Sequence, residues 1–75
     1  MKNNKVRRIE VGYSEIYNET IEYYDNGYEV WISPNKYEVY NDNGELLYRG
    51  KYQRLMERAL YYGEYIGNDY GEECF

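Results

Sequence analysis

Residues 19–48, ETIEYYDNGYEVWISPNKYEVYNDNGELLY, decide the fold of this 75-residue chain. Ile21 and Tyr23 alternate with Glu22 and Tyr24. Tyr28, Val30 and Ile32 alternate with Glu29 and Trp31, and Tyr37 and Val39 with Glu38 and Tyr40. A period of two is the signature of a strand with one buried face. Between these runs stand Asp25-Asn26-Gly27, Ser33-Pro34-Asn35 and Asn41-Asp42-Asn43-Gly44. Asn and Asp tolerate positive φ, Gly adopts it freely, and Pro34 presets φ for a turn. Successive hairpin turns of this kind predict an antiparallel meander without room for crossover helices.

Outward from this stretch, Ile9, Val11 and Tyr13 repeat the alternation and predict a first strand, with Ser14–Asn18 as a loop. On the other side, Leu46 and Tyr48 oppose Leu47 in a last strand. At Gly50 the period changes: Tyr52, Leu55, Met56, Ala59, Leu60, Gly63 and Ile66 recur every three or four residues. That is the apolar stripe of an α-helix, with Gly67-Asn68 expected to end it. The predicted class is α+β: an antiparallel meander of about four to five strands with one C-terminal helix packed on one face. The expected core is Ile9, Val11, Ile21, Tyr23, Tyr28, Val30, Ile32, Val39, Leu46, Leu55, Met56, Ala59 and Leu60. Residues 1–75 read as one domain, with 1–4 and 68–75 as flexible tails.

Composition restricts the chemistry. The chain has no histidine and a single cysteine, Cys74, near its C-terminus. Ser-His and Cys-His catalytic pairs are therefore absent, as is a credible zinc ligand set. The glycines form neither dinucleotide nor P-loop spacing. The acidic turn Asp42–Glu45 lacks the ligand spacing of a calcium loop. A chain this short buries only about 60% of its unfolded surface and has little room for a catalytic cleft. No enzymatic activity, metal or cofactor is expected. One cysteine fits a reducing, cytoplasmic compartment. The basic start MKNNKVRRIE has no apolar run behind it, as a signal peptide would, and no stretch is apolar enough to span a membrane.

Charge and aromatic content point to binding. The net charge is -5, with 14 acidic and 9 basic residues, and 13 residues are tyrosine. Between Ile9 and Tyr48 nine acidic residues stand against one basic residue, Lys36, so this region carries -8. The strand alternation assigns Glu22, Tyr24, Glu29, Trp31, Glu38 and Tyr40 to the face opposite the expected core. Tyr and Trp are frequent binding hot spots, and clustered carboxylates steer basic partners. Solubility alone explains single residues of this kind but not the one-sided sign.

The expected partner is a protein with a basic surface, such as a nuclease or another nucleic-acid-binding protein. Carboxylates among the rings repel phosphates, so direct nucleic-acid binding is not favoured. In size, acidity and lack of catalytic groups the chain resembles small viral anti-restriction and anti-CRISPR inhibitors, in which carboxylates stand where DNA phosphates would lie. That resemblance is one of kind and assigns no residue. It implies an inhibitor, a DNA mimic by charge, that blocks a basic groove in the host cytoplasm. Two alternatives remain open: an adaptor or homodimer acting through its sheet edge, and a small-ligand binder with a ring-lined pocket for a nucleotide or a sugar, an anionic ligand being disfavoured by the negative charge unless Lys5, Arg7, Arg8 and Arg49 converge in space.

Overall fold

The structure, a computed structural model, describes residues 6–69. It is a small α+β fold with the strands β1 (Arg8–Ser14), β2 (Glu19–Tyr24), β3 (Glu29–Ser33), β4 (Lys36–Tyr40) and β5 (Leu46–Gly50). The helix α1 (Gln53–Tyr62) and a two-residue strand β6 (Gly67–Asn68) complete it. The sheet order is β1-β2-β3-β4-β5-β6, antiparallel except where β6 lies parallel to β5. The expected meander is present, with one strand more than anticipated.

The turns form by the expected chemistry. In the β2–β3 loop the Gly27 N–H donates to Tyr24 O at 3.0 Å, and Gly27 takes a left-handed φ of 85°. In the β4–β5 loop the Gly44 N–H donates to Asn41 O at 3.0 Å, while Asn41 Oδ1 accepts from the Asn43 and Glu45 N–H groups, both at 2.9 Å. Between β1 and β2, Asn18 supplies the positive φ of 58° and accepts a hydrogen bond from the Tyr13 hydroxyl.

The helix is shorter than predicted. It stops at Gly63, which caps it in the left-handed region at φ 70° and donates its N–H to Ala59 O at 3.0 Å. Gly67-Asn68, expected as the stop, instead pairs beside Tyr48 and Arg49 of β5. The chain thus crosses over through α1, an arrangement the meander reading did not foresee. Asp69, expected in a frayed tail, is buried, and its Oδ2 accepts from the Tyr48 hydroxyl at 2.8 Å. The remainder of that segment, with Cys74, and the expected tail at 1–4 lie outside the described residues.

The core lies between α1 and strands β3 to β5. Val30, Val39, Tyr48, Met56, Ala59 and Leu60 are buried together with Val6 and Leu47, and Tyr24, Tyr28, Ile32, Tyr37, Leu55 and Ile66 pack around them. Several core expectations fail here. Ile9 and Val11 are exposed, because β1 is the outer strand and α1 lies over β4 and β5. A bulge between Val39 and Tyr40 sets Leu46 opposite Tyr40 and turns Leu47 and Tyr48 inward.

Strand β2 is also reversed. Ile21 pairs with Trp31 and Tyr23 with Glu29, so both stand on the face away from the helix. Ile21 is nevertheless buried there. Directly opposed residues of paired strands share a face, so Thr20, Glu22 and Tyr24 belong to the helix side.

Candidate functional site

The face of the sheet away from α1 is a grid of charge and rings. Across the strands run Gly12, Ile21, Trp31, Glu38 and Arg49 in one row and Glu10, Tyr23, Glu29 and Tyr40 in the next. The third row holds Glu19 and Lys36, whose side chains join at 2.8 Å. This face carries a concavity of about 700 Å³ lined by Tyr17, Glu19, Glu29, Trp31, Lys36, Glu38, Tyr40 and the turn residues Asn41 and Asp42.

Trp31 is the centre. Tyr17, from the β1–β2 loop, stands edge-on at 6.2 Å between centroids, and Tyr40, from β4, at 6.4 Å. The indole Nε1–H donates to Glu29 Oε1 at 3.1 Å. The Tyr40 hydroxyl donates to Glu38 Oε1 at 3.3 Å. Burial, with the Glu38 charge next, raises the Tyr40 pKa, so this hydroxyl stays a donor through neutral pH.

The carboxylates are not equivalent. Glu38 Oε2 accepts from Arg49 Nε at 2.7 Å. Burial alone would lower the Arg49 pKa, but the Glu38 charge outweighs it and the net shift is upward. Glu19 and Glu38 are both buried, and each cation offsets the cost of burying the charge. Glu29 and Asp42 form none of the ion pairs found among the described residues. The face is therefore less negative than the sequence count suggests. Two of its carboxylates are compensated within the fold, and Glu10, Glu29 and Asp42 supply the outward charge.

Of the six residues expected to form the binding face, Glu29, Trp31, Glu38 and Tyr40 are brought together here. Glu22 and Tyr24 are not. Glu22 Oε2 pairs with Arg8 at 3.0 Å, and its Oε1 accepts from the Tyr24 hydroxyl at 2.8 Å, all on the helix side. Tyr17, Glu19, Lys36 and Asp42 join the site without having been singled out. Tyr17 and Asp42 lie in loops, where alternation gives no face. In the sequence Lys36 stands out only as the lone cation between Ile9 and Tyr48. The anion site that would need Arg7, Arg8 and Arg49 together does not form: Arg8 is engaged with Glu22 on the helix side and Arg49 with Glu38 on the opposite face. Lys5 lies outside the described residues.

Among the described residues no group of three or more His, Cys, Asp or Glu is placed to hold a metal ion, and no helix is long and apolar enough to cross a membrane. Comparison of the chain with protein-family models, with curated proteins and with solved structures finds no match.

Proposed function

We propose that this chain is a non-enzymatic binding protein that docks a basic protein surface on its open sheet face. The observation that carries this reading is the concavity around Trp31, flanked by Tyr17 and Tyr40 and rimmed by Glu19, Glu29, Glu38 and Asp42. Rigid aromatic anchors within a polar, charged rim match the composition of protein-binding hot spots. The excess of carboxylate selects a cationic partner and speeds its approach.

A basic groove built to hold a nucleic acid has the complementary chemistry. Inhibition of a nuclease or another nucleic-acid-binding enzyme by occupation of that groove is the specific form we favour, with the host cytoplasm as its setting. Partner capture with the wild-type chain, followed by competition with duplex DNA, tests it. The partner's DNA affinity should fall in proportion to added chain. The Trp31→Ala/Tyr40→Ala variant, and the milder Glu29→Gln, should lose this effect while keeping the wild-type circular dichroism spectrum. A ternary complex with DNA still bound would sink the inhibitor form.

A second reading is favoured by β1. It is an outer strand with Ile9 65%, Val11 53% and Tyr13 59% exposed, and Ile16 follows at 87%. Unpaired strand edges invite a second chain. An antiparallel pairing centred on Val11 would oppose Ile9 to Tyr13 and Arg7 to Glu15, which suits a homodimer. Sedimentation separates the two readings, since a dimer through this edge should revert to monomer in Val11→Lys.

A further inference from the structure

Beside Trp31, the concavity on the open face presents the Glu29 carboxylate. Across β2 and β4 this carboxylate is flanked by Tyr23 and Tyr40, its opposite numbers in register. Along β3 it is approached by Trp31, whose indole N–H occupies its Oε1 at 3.1 Å. Its second oxygen accepts no hydrogen bond among the described residues, and no described ion pair includes it. The neighbouring carboxylates Glu19 and Glu38 already hold Lys36 and Arg49. The lining still counts four acidic residues, Glu19, Glu29, Glu38 and Asp42, against the single cation Lys36.

We propose that this groove takes an arginine side chain of a basic protein segment, with its guanidinium against the Trp31 and Tyr40 rings and paired to the Glu29 carboxylate. The proposal rests on the open face being a surface for basic partners and names the group that surface is built around. Two features select arginine over lysine. A guanidinium is planar and weakly hydrated, so it stacks on aromatic faces at low desolvation cost, whereas an ammonium is compact and strongly hydrated. Its fork of N–H groups can also reach Glu29 and a second acceptor at once, and Asp42 lines the same concavity. The fold makes one such contact itself, since the buried Glu38 is held by the guanidinium of Arg49 while the Tyr40 hydroxyl donates to its other oxygen; the neighbouring Glu19 is held by the ammonium of Lys36.

Trp31 is the only tryptophan of the chain, so its fluorescence and its indole N–H resonance report this site alone. The experiment titrates the full chain with hexaarginine and, in parallel, with hexalysine, which carries the same charge. Hexaarginine should shift the Trp31 indole resonance and bind on the order of fivefold tighter than hexalysine. Glu29→Gln and Tyr40→Leu should each erase that preference at unchanged melting temperature. Equal affinities with a Trp31 response to both peptides would overturn the arginine site and leave the basic-partner reading standing. A Trp31 signal unmoved by either peptide would overturn both. An arginine preference that survives Glu29→Gln would move the site elsewhere and overturn the assignment.

Discussion

Tyr48 ties the sheet to the chain beyond the helix. Its side chain is fully buried, its hydroxyl donates to Asp69 Oδ2 at 2.8 Å, and it accepts from the Tyr52 N–H at 3.0 Å as α1 begins. One hydroxyl thus serves one oxygen of a buried carboxylate, whose Oδ1 has no hydrogen-bond partner among the described residues, and a backbone donor at a helix start that has no side-chain cap. Tyr48→Phe strands both, and chemical denaturation should show a loss of about 1–3 kcal/mol. Burial above all pushes the Tyr48 hydroxyl well above the ordinary tyrosine pKa, although the Tyr52 N–H opposes this, and the Asp69 carboxylate adds to the rise. The unfolded chain therefore releases this proton near pH 10 while the folded chain keeps it. The contribution is whole below about pH 10 and falls as pH rises further, by about 1.4 kcal/mol per pH unit. Tyr24 and Tyr40 are raised in the same direction, chiefly by burial, so alkaline melting curves should show at least this slope, and Tyr48→Phe should reduce it by about 1.4 kcal/mol per pH unit without removing it. Gly50 is bound to the same cluster, because a Cβ there would stand 1.6 Å from Asp69 Oδ1 and 2.4 Å from the Tyr48 hydroxyl oxygen. Gly50→Ala should therefore cost roughly 3 kcal/mol or more, measured the same way.

At the scale of elements, the strands were legible from alternation and the turns from Asn, Asp, Gly and Pro, but alternation alone does not say which face is inward. Strand β2 shows why. Ile21 and Tyr23 read as the apolar set, yet the Asp25-Asn26-Gly27 loop pairs Tyr24 with Tyr28, whose amide and carbonyl meet at 3.0 Å. Tyr24 must then share a face with Tyr28, Val30 and Ile32, and a shift of one residue reverses every side chain. Counting the loop would have exposed the conflict between the hairpin register and the apolar pattern. In this short domain the register prevails, because tyrosine serves on either face. The helix ends earlier than the stripe predicts because Gly63, which falls on the stripe at helical spacing, is the C-cap and takes a left-handed conformation. Its φ is 70°, and a Cβ there would stand 2.9 Å from the Tyr28 hydroxyl oxygen, so the Tyr28 side chain would have to shift. Gly63→Ala should cost about 1 kcal/mol, a fall of about 4–8 °C in Tm by calorimetry.

At the scale of the whole molecule, the two faces of the sheet divide the labour. One is closed by α1, and the other presents Trp31 among carboxylates. The shared face of Glu29, Trp31, Glu38 and Tyr40 was legible because the alternation of β3 and β4 matches their register. The loop contributions of Tyr17 and Asp42, and the internal pairing of Glu19 and Glu38, depend on tertiary placement that no local pattern carries. With the outward charge carried by Glu10, Glu29 and Asp42, binding of a basic partner should weaken steeply between about 0.1 M and 1 M salt, as the screening length falls from about 10 to 3 Å. Calorimetry across a salt series checks this. Glu22→Gln, on the helix side, should leave the affinity within about twofold, as expected for a charge outside the contact. The central claim is that the open face does the binding, and NMR chemical-shift mapping of the chain against its captured basic partner tests it most directly. The account predicts perturbations centred on Trp31, Glu29, Glu38 and Tyr40, with Glu22, Tyr24 and α1 unmoved. Perturbations centred on α1 or along β1, with the Trp31 indole resonance unchanged, would contradict it.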